Sequence, residues 1–140
     1  LDRITLIHDQ PLSIMQINHI DHLVLTVKDP DATIAFYRDV MGMRADTFQE
    51  GRQALFFGNQ KINLHQLGHE IEPKAHSATP GSADLCFISS TPISEIEIEL
   101  KQKNIAVISS NVTRTGACGK IKSIYFRDPD LNLIEVSNYL

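Results

Sequence analysis

Four polar residues interrupt apolar runs of this chain: His22 in Ile20-Asp21-His22-Leu23-Val24-Leu25-Thr26-Val27, His65 in Ile62-Asn63-Leu64-His65, Asp84 ahead of Leu85-Cys86-Phe87-Ile88, and Glu135 in Leu133-Ile134-Glu135-Val136. A carboxylate in such surroundings is costly unless it is paired, hydrogen-bonded or bound to a cation. A divalent metal would satisfy Glu135 together with two neutral imidazoles. That combination leaves coordination positions open for water or substrate, as catalytic zinc and non-haem iron sites do. His22, His65 and Glu135 are therefore the candidate metal ligands, with Glu135 and Asp84 the candidate acid–base groups. The competing reading puts Glu135 at an exposed edge and leaves the two histidines separately satisfied.

The elements around these residues must place them on common faces. Residues 20–27 are β-branched and leucine-rich and end at Lys28-Asp29-Pro30, which predicts a mostly buried strand. A helix follows, with Asp29 as N-cap, Pro30 at its first position, Ile34, Tyr37 and Met41 as an inward stripe, and Gly42 as the stop. Three short strands come next, 43–49, 53–57 and 61–66, separated by the turns Glu50-Gly51-Arg52 and Gly58-Asn59-Gln60.

After a linker over 68–83 the order repeats: strand 84–88, a helix opened by Thr91-Pro92 and running to about Lys103, and strands 105–109, 120–126 and 131–138. Ile96, Ile98 and Leu100 also alternate at period two, but the Thr-Pro start favours helix. Side chains repeat at two along a strand, so His22 shares a face with Val24 and Thr26, His65 with Asn63, and Glu135 with Leu133 and Ser137.

The chain thus reads as an α+β fold of two tandem βαβββ modules, about 17–67 and 84–139, forming a cupped mixed sheet within a single domain over 17–139. Residues 1–16, without sustained periodicity, read as a flexible extension. At 140 residues, with 42% hydrophobic and 21% charged residues, the composition is that of an ordinary globular protein. A net charge of −4 with no basic cluster argues against nucleic acid, and no apolar run is long enough to span a bilayer. Two cysteines without a CxxC pair suit a reducing compartment, so a cytoplasmic location is expected. Cys86 is expected to be a small buried hydrophobe, His19, His69 and His76 surface residues, Tyr37 helix core, and the aspartates of Arg127-Asp128-Pro129-Asp130 turn architecture.

The opening Ile20-Asp21-His22-Leu23-Val24-Leu25-Thr26-Val27, the Ala35-Phe36-Tyr37 and Gly42-Met43 pairings, and the closing Asp128-Pro129-Asp130-Leu131-Asn132-Leu133-Ile134-Glu135 resemble the vicinal oxygen chelate superfamily, which includes glyoxalase I, fosfomycin- and bleomycin-resistance proteins and extradiol dioxygenases. Residues 58–66 and 80–88 resemble more narrowly its glyoxalase-domain, virulence-protein-like members. The resemblance implies a divalent metal (Zn, Ni, Mn or Fe) at paired modules, with His22, His65 and Glu135 matching ligand positions. Asp84 stands where many metal-dependent members carry histidine, which departs from the four-ligand pattern of glyoxalase I. Arg114, in Arg114-Thr115-Gly116-Ala117-Cys118-Gly119, resembles part of a substrate-facing loop, and Asn63 joins it as a candidate substrate contact.

The leading expectation is a metal-dependent glyoxalase-like enzyme of lyase or isomerase type, acting on a small oxygenated substrate that chelates the metal, such as a thiol conjugate of a 2-oxoaldehyde. The alternatives are an extradiol-type dioxygenase and a metal-free ligand-binding or resistance protein. A homodimer is expected, because short open sheets leave strand edges that pairing protects.

Overall fold

A computed structural model of the protein describes residues 14–140, so most of the expected N-terminal extension lies outside the described residues. Residues 14–21 have no regular secondary structure. The first unit is β1 (His22–Val27), α1 (Pro30–Asp39), β2 (Arg44–Phe48), β3 (Arg52–Phe57) and β4 (Gln60–Gln66). The second is β5 (Asp84–Ile88), α2 (Ile93–Gln102), β6 (Val107–Gly116), β7 (Gly119–Arg127) and β8 (Leu133–Tyr139). Each forms a four-stranded mixed sheet, ordered β1-β4-β3-β2 and β5-β8-β7-β6, in which the first and last strands of the unit pair in parallel. This is the expected α+β architecture of two βαβββ units, built as two separate sheets.

The local signals explain most elements. Asp29 caps α1 by accepting hydrogen bonds from the backbone N–H groups of Asp31 (3.0 Å) and Ala32 (3.3 Å), and Gly42 ends the segment at φ +71°. The ambiguous stretch 93–102 is a helix, since Ile93 and Leu100 are buried while Ile98 stays 56% exposed, a split that period two would not produce. Its N-terminus departs from expectation. Pro92 occupies the cap position without a side-chain bond, and the cap comes from β8: Asn138 Oδ1 accepts from the Ile93 N–H, while its Nδ2 donates to the carbonyls of Ser89 and Thr91, all at 2.9 Å.

The other departure is β6, expected to end at 109 and followed by a loop at 114–119. It continues to Gly116 and turns into β7 at Ala117-Cys118. Bulges between Val107 and Val112, with Asn111 at φ +57°, break the alternation that a sequence pattern detects. An added Cβ at Gly116 would lie 2.9 Å from the Tyr139 hydroxyl, so a side chain there would displace Tyr139 from its bond with the Cys118 N–H.

One core joins both units. Leu25, Val27, Phe36, Tyr37, Leu55 and Ile62 from the first pack with Leu100, Ile124, Phe126 and Ile134 from the second. Phe36 meets Phe126 at 6.2 Å between ring centroids, and Phe57 meets Phe87 edge-on at 5.3 Å. Tyr37, fully buried as its helix stripe requires, donates its hydroxyl to Asp128 Oδ2 at 2.7 Å. Asp128 also accepts from the backbone N–H groups of Asp130 and Asn132 and from Asn132 Nδ2, and Asp130 accepts from the Lys28 N–H. The expected turn aspartates therefore also fasten one unit to the other.

Because the core takes one face of each sheet, the other faces stay open. In β5, Leu85 and Phe87 turn to the core and Asp84, Cys86 and Ile88 turn outward, so Cys86 is exposed instead of being the expected buried hydrophobe. Among the described residues no helix is long and apolar enough to cross a membrane.

Candidate functional site

Strand register decides which of the candidate side chains share a level. In the first unit His22 pairs with Lys61, Val24 with Asn63 and Thr26 with His65. In the second, Asp84 pairs with Leu133 and Cys86 with Glu135, which extends to Ser137 beside Ile88. Counting from the first residue of each unit, Asn63 matches Glu135, and His65 matches Ser137. His65, the candidate ligand on the last strand of the first unit, therefore stands two residues past the place that Glu135 holds in the second.

This register separates His22 from His65. His65 lies four residues along the sheet from the level of His22, about 13 Å at 3.3 Å per residue. Two imidazoles that far apart do not share one ion at about 2.0–2.1 Å each. Asn63 sits only two residues from that level on the adjacent strand, about 8 Å between Cα atoms, and Asp84 stands in the same relation to Glu135.

The immediate partners of these groups suit ligation. His22, 44% exposed, donates its Nδ1–H to Asp21 Oδ2 at 2.7 Å, which orients the ring and leaves Nε2 free. That hydrogen bond holds the Asp21 carboxyl below its ordinary range. Asn63 Oδ1 is buried with no hydrogen-bond partner among the described residues. Glu135 takes all its bonds on one oxygen: Oε2 accepts from Ser123 Oγ at 2.6 Å and from Ser137 Oγ at 3.3 Å. Since the single Ser123 proton goes to Glu135, the single Ser137 proton is shared between Ser123 Oγ at 2.7 Å and the longer contact to Glu135 Oε2 at 3.3 Å, and the Cys86 thiol donates to Ser137 at 3.3 Å. Although Cys86 is exposed, partial desolvation of its thiol is the main influence raising it above the ordinary range. Ser123 and Asp21 are parts of the site that apolar patterning alone does not reveal.

The expected residues fall into three depressions. His22 and Asp84 open into a cavity of about 940 Å³ between the units, bounded by Leu23, Met41, Leu85 and Phe87. Glu135 and Arg114 line another of about 430 Å³ on the open face of the second sheet. His65 lines a third of about 440 Å³, under the connection that carries Lys74 and Thr79. Arg114, on the β6 arm of the hairpin instead of a loop, donates Nε–H to the Tyr125 hydroxyl at 3.0 Å and lies 5.6 Å from the ring centroid. Among the described residues, no three His, Cys, Asp or Glu side chains gather as a metal site, so one chain does not bring His22, His65 and Glu135 together. His19, His69 and His76 are exposed, as expected.

Comparison with known proteins follows the same architecture. The chain is 59% identical over 126 residues to virulence protein STM3117 of Salmonella typhimurium, covering 90% of this chain and 88% of that protein. The crystal structure of that protein superposes with a TM-score of 0.89, covering 90% of this chain and all of the other. Glyoxalase domain-containing protein RDO1 of Mycosarcoma maydis is 51% identical over 125 residues, 89% of this chain and 70% of that protein. An integron cassette protein from the mobile metagenome of V. cholerae is 55% identical with a TM-score of 0.89, covering 91% and 100% of the two chains. Residues 19–136 match the sequence profile of the Glyoxalase/Bleomycin resistance protein/Dioxygenase superfamily, and the chain belongs to that superfamily.

Proposed function

We propose that the protein is a metal-dependent, glyoxalase-like enzyme of lyase or isomerase type, acting on a small substrate with adjacent oxygens, such as a thiol conjugate of a 2-oxoaldehyde. The observation that carries this reading is the matched register of Asn63 and Glu135, each diagonal to a polar residue that opens its unit, His22 or Asp84. The donor set fits a divalent ion: an imidazole with Nε2 free, an amide oxygen with no partner, and two carboxylates. The four-residue offset of His65 from the level of His22 supports this reading over the dioxygenase alternative, which needs the two histidines and Glu135 on one ion.

Held by these residues, a divalent ion would supply Lewis-acid chemistry, drawing charge from a carbonyl or hydroxyl oxygen of the substrate. The chain's own residues supply the rest. Asp21 fixes the His22 ring, and Ser123 and Ser137 hold Glu135 by Oε2. Oε1 is thereby turned to take a proton from the carbon beside a carbonyl and to return it to the neighbouring position. Asp84, exposed at the head of β5, is the alternative proton carrier.

His22 and Asn63 belong to the open face of the first sheet, Asp84 and Glu135 to that of the second. A homodimer closing the first face of one copy on the second face of the other completes the site, and it buries apolar groups now on those faces, Val24 (45% exposed) and Ile88 (54%). Light scattering on the purified protein should give about twice the 15.7 kDa chain mass, and a monomeric mass removes this assembly.

The deciding test is metal binding. Protein purified without chelator and offered Zn²⁺, Ni²⁺, Mn²⁺ and Fe²⁺ should bind one of them at one ion per chain, with turnover of a hemithioacetal but not of a catechol. Failure to bind any of the four leaves the metal-free ligand-binding reading in its place.

A further inference from the structure

In the second unit the diagonal between β7 and β8 is closed, Ser123 Oγ donating to Glu135 Oε2 at 2.6 Å. The matching diagonal of the first unit joins Arg52 on β3 to Asn63 on β4. Ala54 pairs with Asn63 and Gln53 with Leu64, so Arg52 lies one step further, beside His65 and on the same face as Asn63. This diagonal is open. Arg52 Nε and Asn63 Oδ1 are both buried and neither has a hydrogen-bond partner among the described residues. A buried guanidinium N–H without an acceptor is unfavourable, and a planar or tetrahedral oxyanion is the partner its fork of donors fits.

A second cation without a carboxylate partner stands nearby. Phe48 pairs with Arg52 across β2, and Lys61 Nζ lies 4.6 Å from the Phe48 ring centroid, which brings a second cation to that side of the face. Among the described residues no carboxylate pairs with Arg52 or Lys61; Asp46, on the same face, is engaged by Arg44 at 3.0 Å. Arg52 and Lys61 are therefore the two cations of this face without a carboxylate partner among the described residues, in a chain whose net charge is −4.

We propose that Arg52 anchors a small oxyanion of the substrate, a carboxylate or a phosphate-type group, while Asn63 Oδ1 stays available to a donor or cation beside it. The inference rests on the open face being the substrate face, and it makes Arg52 a determinant of anionic substrates. The test uses full-length protein stripped of metal, so that failure of metal binding does not affect it. The arginine Nε–H signals are followed by NMR at constant ionic strength during titration with acetate, inorganic phosphate and, as the neutral twin, acetamide.

The expected result is a saturable shift of the Arg52 signal with acetate or phosphate, whichever fits, none with acetamide, and no saturable shift of Arg44. The Asn63 side-chain amide should report at least tenfold weaker anion binding in Arg52→Gln and unchanged binding in Arg44→Gln. A linear, non-saturating response of Arg52, or equal binding by Arg52→Gln, overturns the proposal. If Arg52→Gln does not fold, the contrast between Arg52 and Arg44 in the unaltered protein decides it.

Discussion

Asn63 holds in the first unit the place that Glu135 holds in the second, two residues along the parallel neighbour from the residue that opens the unit. One position carries an amide oxygen with no partner, and the other a carboxylate steadied by two serines. The two halves are thus alike in geometry and different in charge, and a bound ion would meet a weak donor on one side and a strong one on the other.

The register separates the two histidines by experiment as well. His22→Ala, Asn63→Ala and Glu135→Ala should each lower metal affinity at least tenfold, whereas His65→Ala should leave it within about twofold. Asp21→Asn, which disturbs only the orientation of His22, should cost about 10–100-fold. Titration calorimetry of the four alanine variants and Asp21→Asn checks this, and loss of binding in His65→Ala with retention in Asn63→Ala would reverse the assignment.

Tyr37→Phe should destabilise the fold by about 1–3 kcal/mol, because it strips a buried carboxylate of a donor without leaving a large cavity. Burial, with Asp128 next in weight, raises the Tyr37 phenol far above its ordinary range, so this hydroxyl remains a donor at every pH where the protein is folded. Urea unfolding with an unchanged m-value is the measurement, and it should show the loss undiminished between pH 6 and pH 9.

Asn138→Ala removes three hydrogen bonds that tie β8 to the start of α2. A loss of about 1–3 kcal/mol is expected, of the size seen when a helix loses its cap and backbone groups lose their partners. Hydrogen exchange should show the first turn of α2 opening first, while α1, capped by its own Asp29, keeps its protection.

Cys86 is exposed yet should alkylate slowly at neutral pH. Its raised thiol pKa favours the protonated form in the folded state, so the associated stabilisation is complete below the unfolded thiol value and fades as pH rises through the folded one. Iodoacetamide labelling followed by mass spectrometry should show the Cys86 rate still climbing above the pH where an unperturbed thiol levels off. Glu135→Gln, which removes a neighbouring negative charge, should quicken it.

Much of the fold was legible because its signals are local. Asp29-Pro30 and Gly42 bracket α1, and alternation along single strands placed His22, Asn63 and Glu135 on definite faces, which the structure keeps. The turn Arg127-Asp128-Pro129-Asp130 was likewise readable from its residue types. Cys86 and β6 were not: the exposure of one depends on what Leu85 and Phe87 pack against, and the extent of the other on bulges that shift the alternation.

The sequence by itself determined the repeat, the elements and the side of each strand on which a polar group stands, since these follow from periods of two and 3.6 and from the residues that break them. Only the tertiary structure decided which polar groups share a level. β1 and β4 are far apart in the chain, and the offset between them is set by how Leu25, Val27, Ile62 and Leu64 lock into the common core. A shift of two residues leaves every side chain on its proper face and changes only its neighbours. The strand pattern therefore carried no trace of it, although it sets Asn63, and not His65, at the level in its unit that Glu135 holds in the other.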